Sequence, residues 1–568
     1  MEMPMLKRVW SRRQTVDAFG GLNRGARIGD GEFSRMENLC ADFYPALGPR
    51  PGRVQTEVHS VTALGAGEGL CYTQGKYLVL PDRKVDLGLT QEGPKKLVNM
   101  GAYVLVFPDK KYASTVDPLD FGALEACFPG ETPVTLTPCS LEGADRVPSF
   151  VQPTEPREPG NKALWLDTSS SPQVLKEWSA ASGLWVTVQS AYVRLSAPGI
   201  GRGFRLYDGV TVKGAGDLDG GNALWQVRED SLVISGVLGR KITVDRGLRV
   251  LRQVPDMDFV TECGNRLWGC RFGPGADGKT VNELYASKLG DFRNWNCFMG
   301  LSTDSYTVGV GSQGPFTGGV TYLGTPIFFK EDCLYKVYGS YPGAFRVQST
   351  VCPGVQQGCG ESLAIVGNSL FYKAPMGVCV YDGSLPGEVG KALGNLGSRE
   401  AVGAGFGDRY FLSLREGTEE GLYVLDTKLG QWHREEGLSA RQLRFCQGKL
   451  YGLDGEGNLW ILRGEDSQEQ VAWSAQTGRI SGWDGKSQIL TGLELQLMLS
   501  RRAHARVLVR YDDAGAWETV GTMTGTDRRF FLPVRPKPCG HLELRLEGRG
   551  DLRLFSLTRV YRQGRSGL

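Results

Sequence analysis

The sequence predicts an all-β protein: a β-propeller of six or seven blades, with a small β-module inserted into it and a β-sandwich after it. A short core of Gly, one or two polar residues and an apolar-aromatic run recurs along the second half of this 568-residue chain. Its copies are Gly264-Asn-Arg-Leu-Trp268, Gly324-Thr-Pro-Ile-Phe328, Gly367-Asn-Ser-Leu-Phe371, Gly407-Asp-Arg-Tyr-Phe411 and Gly448-Lys-Leu-Tyr451, at steps of 60, 43, 40 and 41 residues. Each copy is followed by a second strand-like run, such as Asp332-Cys-Leu-Tyr-Lys-Val337, Gly377-Val-Cys-Val-Tyr381 or Gly457-Asn-Leu-Trp-Ile-Leu462. A period near 41 built from paired strands is the pattern of propeller blades, because a four-stranded meander buries its faces only against neighbouring blades. Composition agrees: 79 Gly and 28 Pro supply many turns and leave little room for helix.

Four parts follow in chain order. Residues 1–58 are turn-rich, with Phe19-Gly-Gly-Leu-Asn23 and Pro49-Arg-Pro-Gly52, and read as an extended arm whose Phe19, Leu22, Leu39, Phe43 and Tyr44 have no blade of their own. Such an arm is expected to reach a neighbouring subunit, and its removal to spare folding. Residues 59–128 and 246–465 make the propeller, with two further matches at Gly75-Lys-Tyr-Leu-Val79 and Gly101-Ala-Tyr-Val-Leu-Val106. The 163 residues from Gly101 to Gly264 exceed one blade period by far, so residues 129–245 are an insert. It opens with a stiff Pro-rich linker, 147–160, and continues with the aromatic strands around Trp165, Trp178 and Trp185. Residues 466–568 alternate apolar and polar with period two, as in Leu493-Glu-Leu-Gln-Leu497 and Leu542-Glu-Leu-Arg-Leu546, the mark of a sandwich with one wet face per sheet.

Chemistry-bearing motifs are few, and no catalytic, cofactor-binding or metal-ligating residues are assigned. Gly309, Gly311 and Gly314 satisfy GxGxxG but fall within a β-meander instead of a βαβ unit. Asp217 and Asp219 lack the other ligands of a calcium loop. Asp513-Ala-Gly-Ala-Trp517 lacks the flanking Ser and Thr of an Asp-box hairpin. Thirteen Cys and four His are scattered without zinc-site spacing; the dispersed thiols fit a chain made in a reducing compartment, and most of the Cys read as small core residues. No apolar run is long enough for a membrane span, so no membrane insertion is expected. Net charge is +3, with 40 bases against 44 acids over 59–465 and 16 against 11 over 466–568. The last segment carries Arg501, Arg502, Arg506, Arg510, Arg528, Arg529, Arg545, Arg549, Arg553, Arg559, Arg562 and Arg565. Acids interspersed among them favour a solvated sheet face or protein interface over phosphate binding.

Phe19-Gly-Gly-Leu-Asn23, Asp30-Gly-Glu32, Met36-Glu-Asn-Leu39, Tyr44-Pro-Ala46 and Arg50-Pro-Gly52 follow one another in an order that resembles the opening of tail-associated structural proteins of bacteriophages. The similarity continues through Ala286-Ser-Lys-Leu-Gly-Asp-Phe-Arg-Asn-Trp295, Asp304-Ser305, Ile327-Phe-Phe-Lys330 with Leu334-Tyr-Lys-Val337, Gly377-Val-Cys-Val-Tyr-Asp-Gly383 and Asp426-Thr-Lys-Leu-Gly-Gln-Trp432. The group is that of packaged-DNA stabilisation, tail-accessory or nozzle proteins. The resemblance implies a structural virion protein of the tail, assembled in the host cytoplasm, with no catalytic residues and no cofactor. It further implies a homo-oligomeric ring on a portal or tail adaptor, which extends or closes the DNA exit channel and makes transient contact with packaged double-stranded DNA. The near-neutral propeller would let DNA pass without strong phosphate capture. Two other readings stand beside it. One is a carbohydrate-binding receptor or adhesin, suggested by the Trp-rich insert; the other is a glycosidase-type propeller, which would need converging carboxylates.

Overall fold

The computed structural model describes residues 11–563 apart from 91–92, 276–277, 418–419, 482–487 and 513. Among these residues the chain is all-β, with four short 3-10 turns and no α-helix. Its centre is a propeller-like ring of seven four-stranded antiparallel units, over residues 61–86, 96–123, 259–309, 318–351, 364–388, 400–435 and 440–463, the sixth of which continues through Glu37 and Arg434 into a larger sheet. The seventh has only three strands from its own stretch. Its fourth is Val54–Gln55, with Gln55 opposite Trp460 and Val54 opposite Ile461. First strands stand side by side around the ring: Val61–Ala66 against Lys96–Met100, Lys96–Met100 against Phe259–Glu262, and so on to Ala440–Cys446, which returns to Val61–Ala66. The fourth and fifth sheets meet through the short turn Gly360–Ser362.

The repeated core is the second strand of each sheet. Gly101, Gly264, Gly324, Gly367, Gly407 and Gly448 all lie in the first hairpin turn at φ between 56° and 77°, a conformation that side chains with a Cβ rarely adopt. Gly75 has the same conformation but sits between the second and third strands, so its match is offset by one strand. The runs after these glycines are core: Phe328, Phe411 and Leu450 are fully buried, and Trp268 nearly so. They fill the spaces between sheets, as with Phe371 against Tyr410, ring centroids 5.3 Å apart.

The insert holds two sheets. Eight strands in the order 126–128, 249–252, 209–213, 220–228, 231–235, 192–196, 134–139, 242–244 form a curled sheet around Leu136, Val193, Leu195, Val210, Leu232 and Ile234. A four-stranded sheet, residues 150–187, carries the three tryptophans.

Residues 11–58 are not the projecting arm that composition suggests. Ser11–Val16 pairs along its whole length with the last strand, Leu552–Gln563. Glu32–Glu37 pairs with Ala472–Thr477 and touches the sixth sheet through Glu37 and Arg434. Phe19, Leu22 and Leu39 are accordingly buried, and only Phe43 and Tyr44 stay substantially exposed. The physical reason is that the C-terminal segment supplies too few strands to cover its own apolar faces. Its two sheets, Leu552–Gln563 with Gln488–Leu499 and Arg529–Pro533, and Ala472–Thr477 with His541–Arg549, His504–Tyr511 and Ala514–Thr524, each gain a strand from the N-terminal stretch. Between them lies one core in which Leu493, Leu495 and Leu497 face Leu542, Leu544 and Val507.

Candidate functional site

Three buried or partly buried polar clusters connect the parts of the molecule. The first lies where the ring, the N-terminal stretch and the C-terminal sheets meet. Asn38 has φ 56°, which turns its side chain into the junction. Its Nδ2 donates to the Ala472 carbonyl at 2.8 Å, and its Oδ1 accepts from Arg50 Nε at 3.0 Å and Glu436 N at 2.8 Å. Arg50 then grips Glu469 with both Nη atoms, at 3.0 and 2.9 Å. Arg53 Nη2 lies 2.9 Å from Glu435, whose other oxygen meets Arg463; all three side chains are buried, and Glu435 has no solvent exposure. Burial alone would raise the Glu435 carboxyl, but Arg463, His433 and Arg53 outweigh it and hold the group well below the usual carboxylate range. Burial pulls the Arg53 guanidinium down, and Glu435 partly restores it.

The second cluster docks the insert on the third sheet. Asp208 pairs with Arg252, and Asn294 Nδ2 donates to Asp208 at 3.1 Å and Asp291 at 2.5 Å. Gly209 N donates to Asn294 Oδ1 at 2.8 Å, and a Cβ on Gly209 would stand 2.5 Å from the Asn296 carbonyl, so glycine is required by the close approach. Asp208, Arg252 and Asn294 are all buried.

The third cluster crosses the ring channel. Glu361, on the turn before the fifth sheet, accepts from Lys96 of the second at 2.6 Å and from Arg444 of the seventh at 2.5 Å. Burial would raise Glu361, yet the two cations drive it below the ordinary carboxylate range. Beside it Gln442 accepts from Leu64 N at 2.6 Å and donates to the Lys95 carbonyl at 3.2 Å. Two buried amines pin neighbouring sheets. Lys330 Nζ donates to Asn282 at 3.0 Å and to the Ser312 carbonyl at 2.7 Å, above the Phe316 ring; Lys373 Nζ donates to Gln356 at 2.6 Å. Burial pulls both amines down.

The residues singled out in the sequence are placed as follows. The C-terminal arginines are largely engaged within the sheets: Arg506 with Glu547, Arg510 with Glu543, Arg559 with Asp30, and Arg553 over the Phe43 ring. Arg565 and Asp513 lie outside the described residues. Trp165, Trp178 and Phe150 pack edge-on around Trp185, centroids 5.4, 5.5 and 6.3 Å away, so the rings contact one another instead of forming a flat platform. Gly309 ends a strand paired with Glu283. Asp219 accepts from Ala215 N at 2.6 Å within a 3-10 turn. Twelve of the thirteen cysteines are buried; Cys127 is exposed. Glu361, Glu435 and Glu469 carry no local signal in the sequence. Their Lys and Arg partners lie from 28 to 419 positions away, and only the junction residues Asn38 and Arg50 fall inside recognisable motifs.

By sequence, no protein family model and no characterised protein matches the chain. Several solved structures match the chain at low scores. An exo-β-1,3-galactanase from Phanerochaete chrysosporium is 8% identical, covering 53% of this chain and 94% of that one, with a TM-score of 0.20. The computationally designed Ika8 protein is 11% identical over 72% of this chain and 99% of its own, TM-score 0.29. Trypanosoma rangeli sialidase is 9% identical over 89% and 96%, TM-score 0.22. At these identities and scores none of them bears on what this chain binds or does.

Proposed function

We propose that this chain is a structural protein of a bacteriophage tail or head-to-tail assembly, acting by geometry and not by catalysis. In this reading the seven sheets are the blades of one propeller, closed by Val54–Gln55, and the two C-terminal sheets with their N-terminal strands are a β-sandwich fused to it. Copies stand side by side in a ring on a portal or tail adaptor, extend or close the DNA exit channel and help retain the packaged genome. The observation that carries the reading is the use made of the motifs that resemble phage tail proteins. Met36-Glu-Asn38-Leu39 and Arg50-Pro-Gly52 build the junction between ring and C-terminal sheets, and the Asp291–Asn294 stretch holds the insert. These residues join the parts into one stiff wedge, which is what a subunit of a closed ring requires.

Lys96, Glu361 and Arg444 cross the propeller's own channel, so DNA would pass beside the propeller, along a path lined by many copies. The buried N-terminal strands cannot serve as the link between copies. Exposed apolar residues of the 296–303 loop, Phe298, Met299 and Leu301, are the better candidates. The test is to mix purified protein with portal rings from the same virus and to image the product by electron microscopy. A ring of copies coaxial with the portal is expected. A monomeric protein that ignores the portal and is found at a fibre tip would replace this reading with that of an adhesin.

A further inference from the structure

One end of the propeller channel, where the first strands of the second, third, fourth and seventh sheets begin, opens into a cavity of about 440 Å³. Phe107, Met257 and Phe259 line it together with Lys96, Glu361 and Arg441. The apolar wall is held in place by two glycines: a Cβ on Gly319 would come within 2.9 Å of Phe259, and one on Gly360 within 2.5 Å of its ring. Two charges at the cavity are already matched, Lys95 by Asp109 at 2.5 Å and Asp258 by Arg271 at 2.8 Å. Among the described residues the rest do not balance. Lys96 and Arg444 share the single carboxylate of Glu361, and Arg441 adds a third cation on the exposed rim. Partly buried cations in excess of carboxylates attract an anion, because desolvation is offset only by a counter-charge within hydrogen-bond reach. Burial also lowers the Lys96 amine despite its contact with Glu361, as expected for a cation that is short of compensation.

We propose that this cavity binds a small organic oxyanion, with its carboxylate or phosphate end on Lys96 and Arg441 and an apolar or ring-shaped body against Phe107, Met257 and Phe259. The charge surplus specifies the anion, and the three apolar side chains specify a body larger than the anion alone. The site belongs to the propeller whatever the protein assembles with, so it stands or falls independently of the virion role. A bound anion would tie the second, third and seventh sheets together across the channel mouth.

Calorimetric titration of the full chain tests this, with benzoate and phenyl phosphate as complete probes, acetate and inorganic phosphate as head groups alone, and benzyl alcohol as the body alone. Saturable binding of benzoate or phenyl phosphate is expected, clearly tighter than that of the bare head groups, with none for benzyl alcohol. Which of the two binds better identifies the head group. Arg441→Gln and Lys96→Met should each weaken it by about tenfold, the scale of one charge-assisted hydrogen bond. Arg441 lies on the rim outside the Lys96–Glu361–Arg444 cluster, so its variant reports on binding even if Lys96→Met fails to fold. No saturable heat with either aromatic anion, equal binding of benzyl alcohol, or unchanged affinity in Arg441→Gln would overturn the proposal.

Discussion

Glu435 is the residue on which the junction turns, because two buried guanidinium groups depend on one carboxylate with no access to water. Glu435→Gln leaves Arg53 and Arg463 without a buried counter-charge, and a loss of ~3–5 kcal/mol is expected in urea unfolding. The same group sets an acid limit. Its folded-state pKa lies below the unfolded value of 4.5, so its contribution is complete above that pH and is lost as pH falls toward the folded value. Wild-type stability should therefore fall more steeply below about pH 4.5 than that of Glu435→Gln, measured as urea midpoints across an acid series. Parallel slopes would show that other carboxylates dominate. None of this was legible in the sequence. Arg53 and Glu435 lie 382 positions apart, and neither stands in a pattern that marks it as an ion-pair partner. The turn glycines were legible, because a positive φ is a local requirement and the residue that meets it repeats.

Elements were legible in proportion to how much of their partner lay nearby. Six of the seven sheets are drawn from one uninterrupted stretch apiece, so spacing alone exposes them; the seventh borrows Val54–Gln55, too short to read as a strand. The alternation at Leu493, Leu495 and Leu497 shows a half-buried strand, but it does not show that Ser11–Val16 lies in the same sheet. Hence removal of residues 11–45 should abolish cooperative unfolding of the C-terminal sheets, not merely detach an arm. A two-state thermal transition of normal enthalpy in that variant would contradict the pairing. The insert should behave oppositely. It has its own core, and Phe128 and Val250 at its base are paired, so the chain can be closed there with a short Gly/Ser bridge in place of residues 131–245. The shortened protein should remain folded, with a lowered melting temperature because Asn294 and Arg252 lose Asp208. Loss of a cooperative transition would make the insert part of the ring's own core.

Across the whole molecule, covalent order and spatial order differ most at the C-terminal sheets, which hold both the earliest and the latest strands described. A chain ending at residue 465 keeps every strand of the ring but uncovers Phe33, Met36 and the remaining N-terminal apolar residues that pack in the shared core. It should self-associate in light scattering where the full chain does not. Equal solubility of the two would mean that the N-terminal strands find another cover.

Pairing of Ser11–Val16 with Leu552–Gln563 also has a consequence in time. At ribosomal rates of roughly 5–20 residues per second, the first strand waits on the order of half a minute to two minutes for its partner to be made. Throughout that interval an unpaired strand and its apolar neighbours are open to capture by other nascent chains on the same messenger. The yield of folded protein should therefore depend on how quickly translation finishes and on how many ribosomes share the message, and on holding factors that shield the leading residues until the trailing ones emerge.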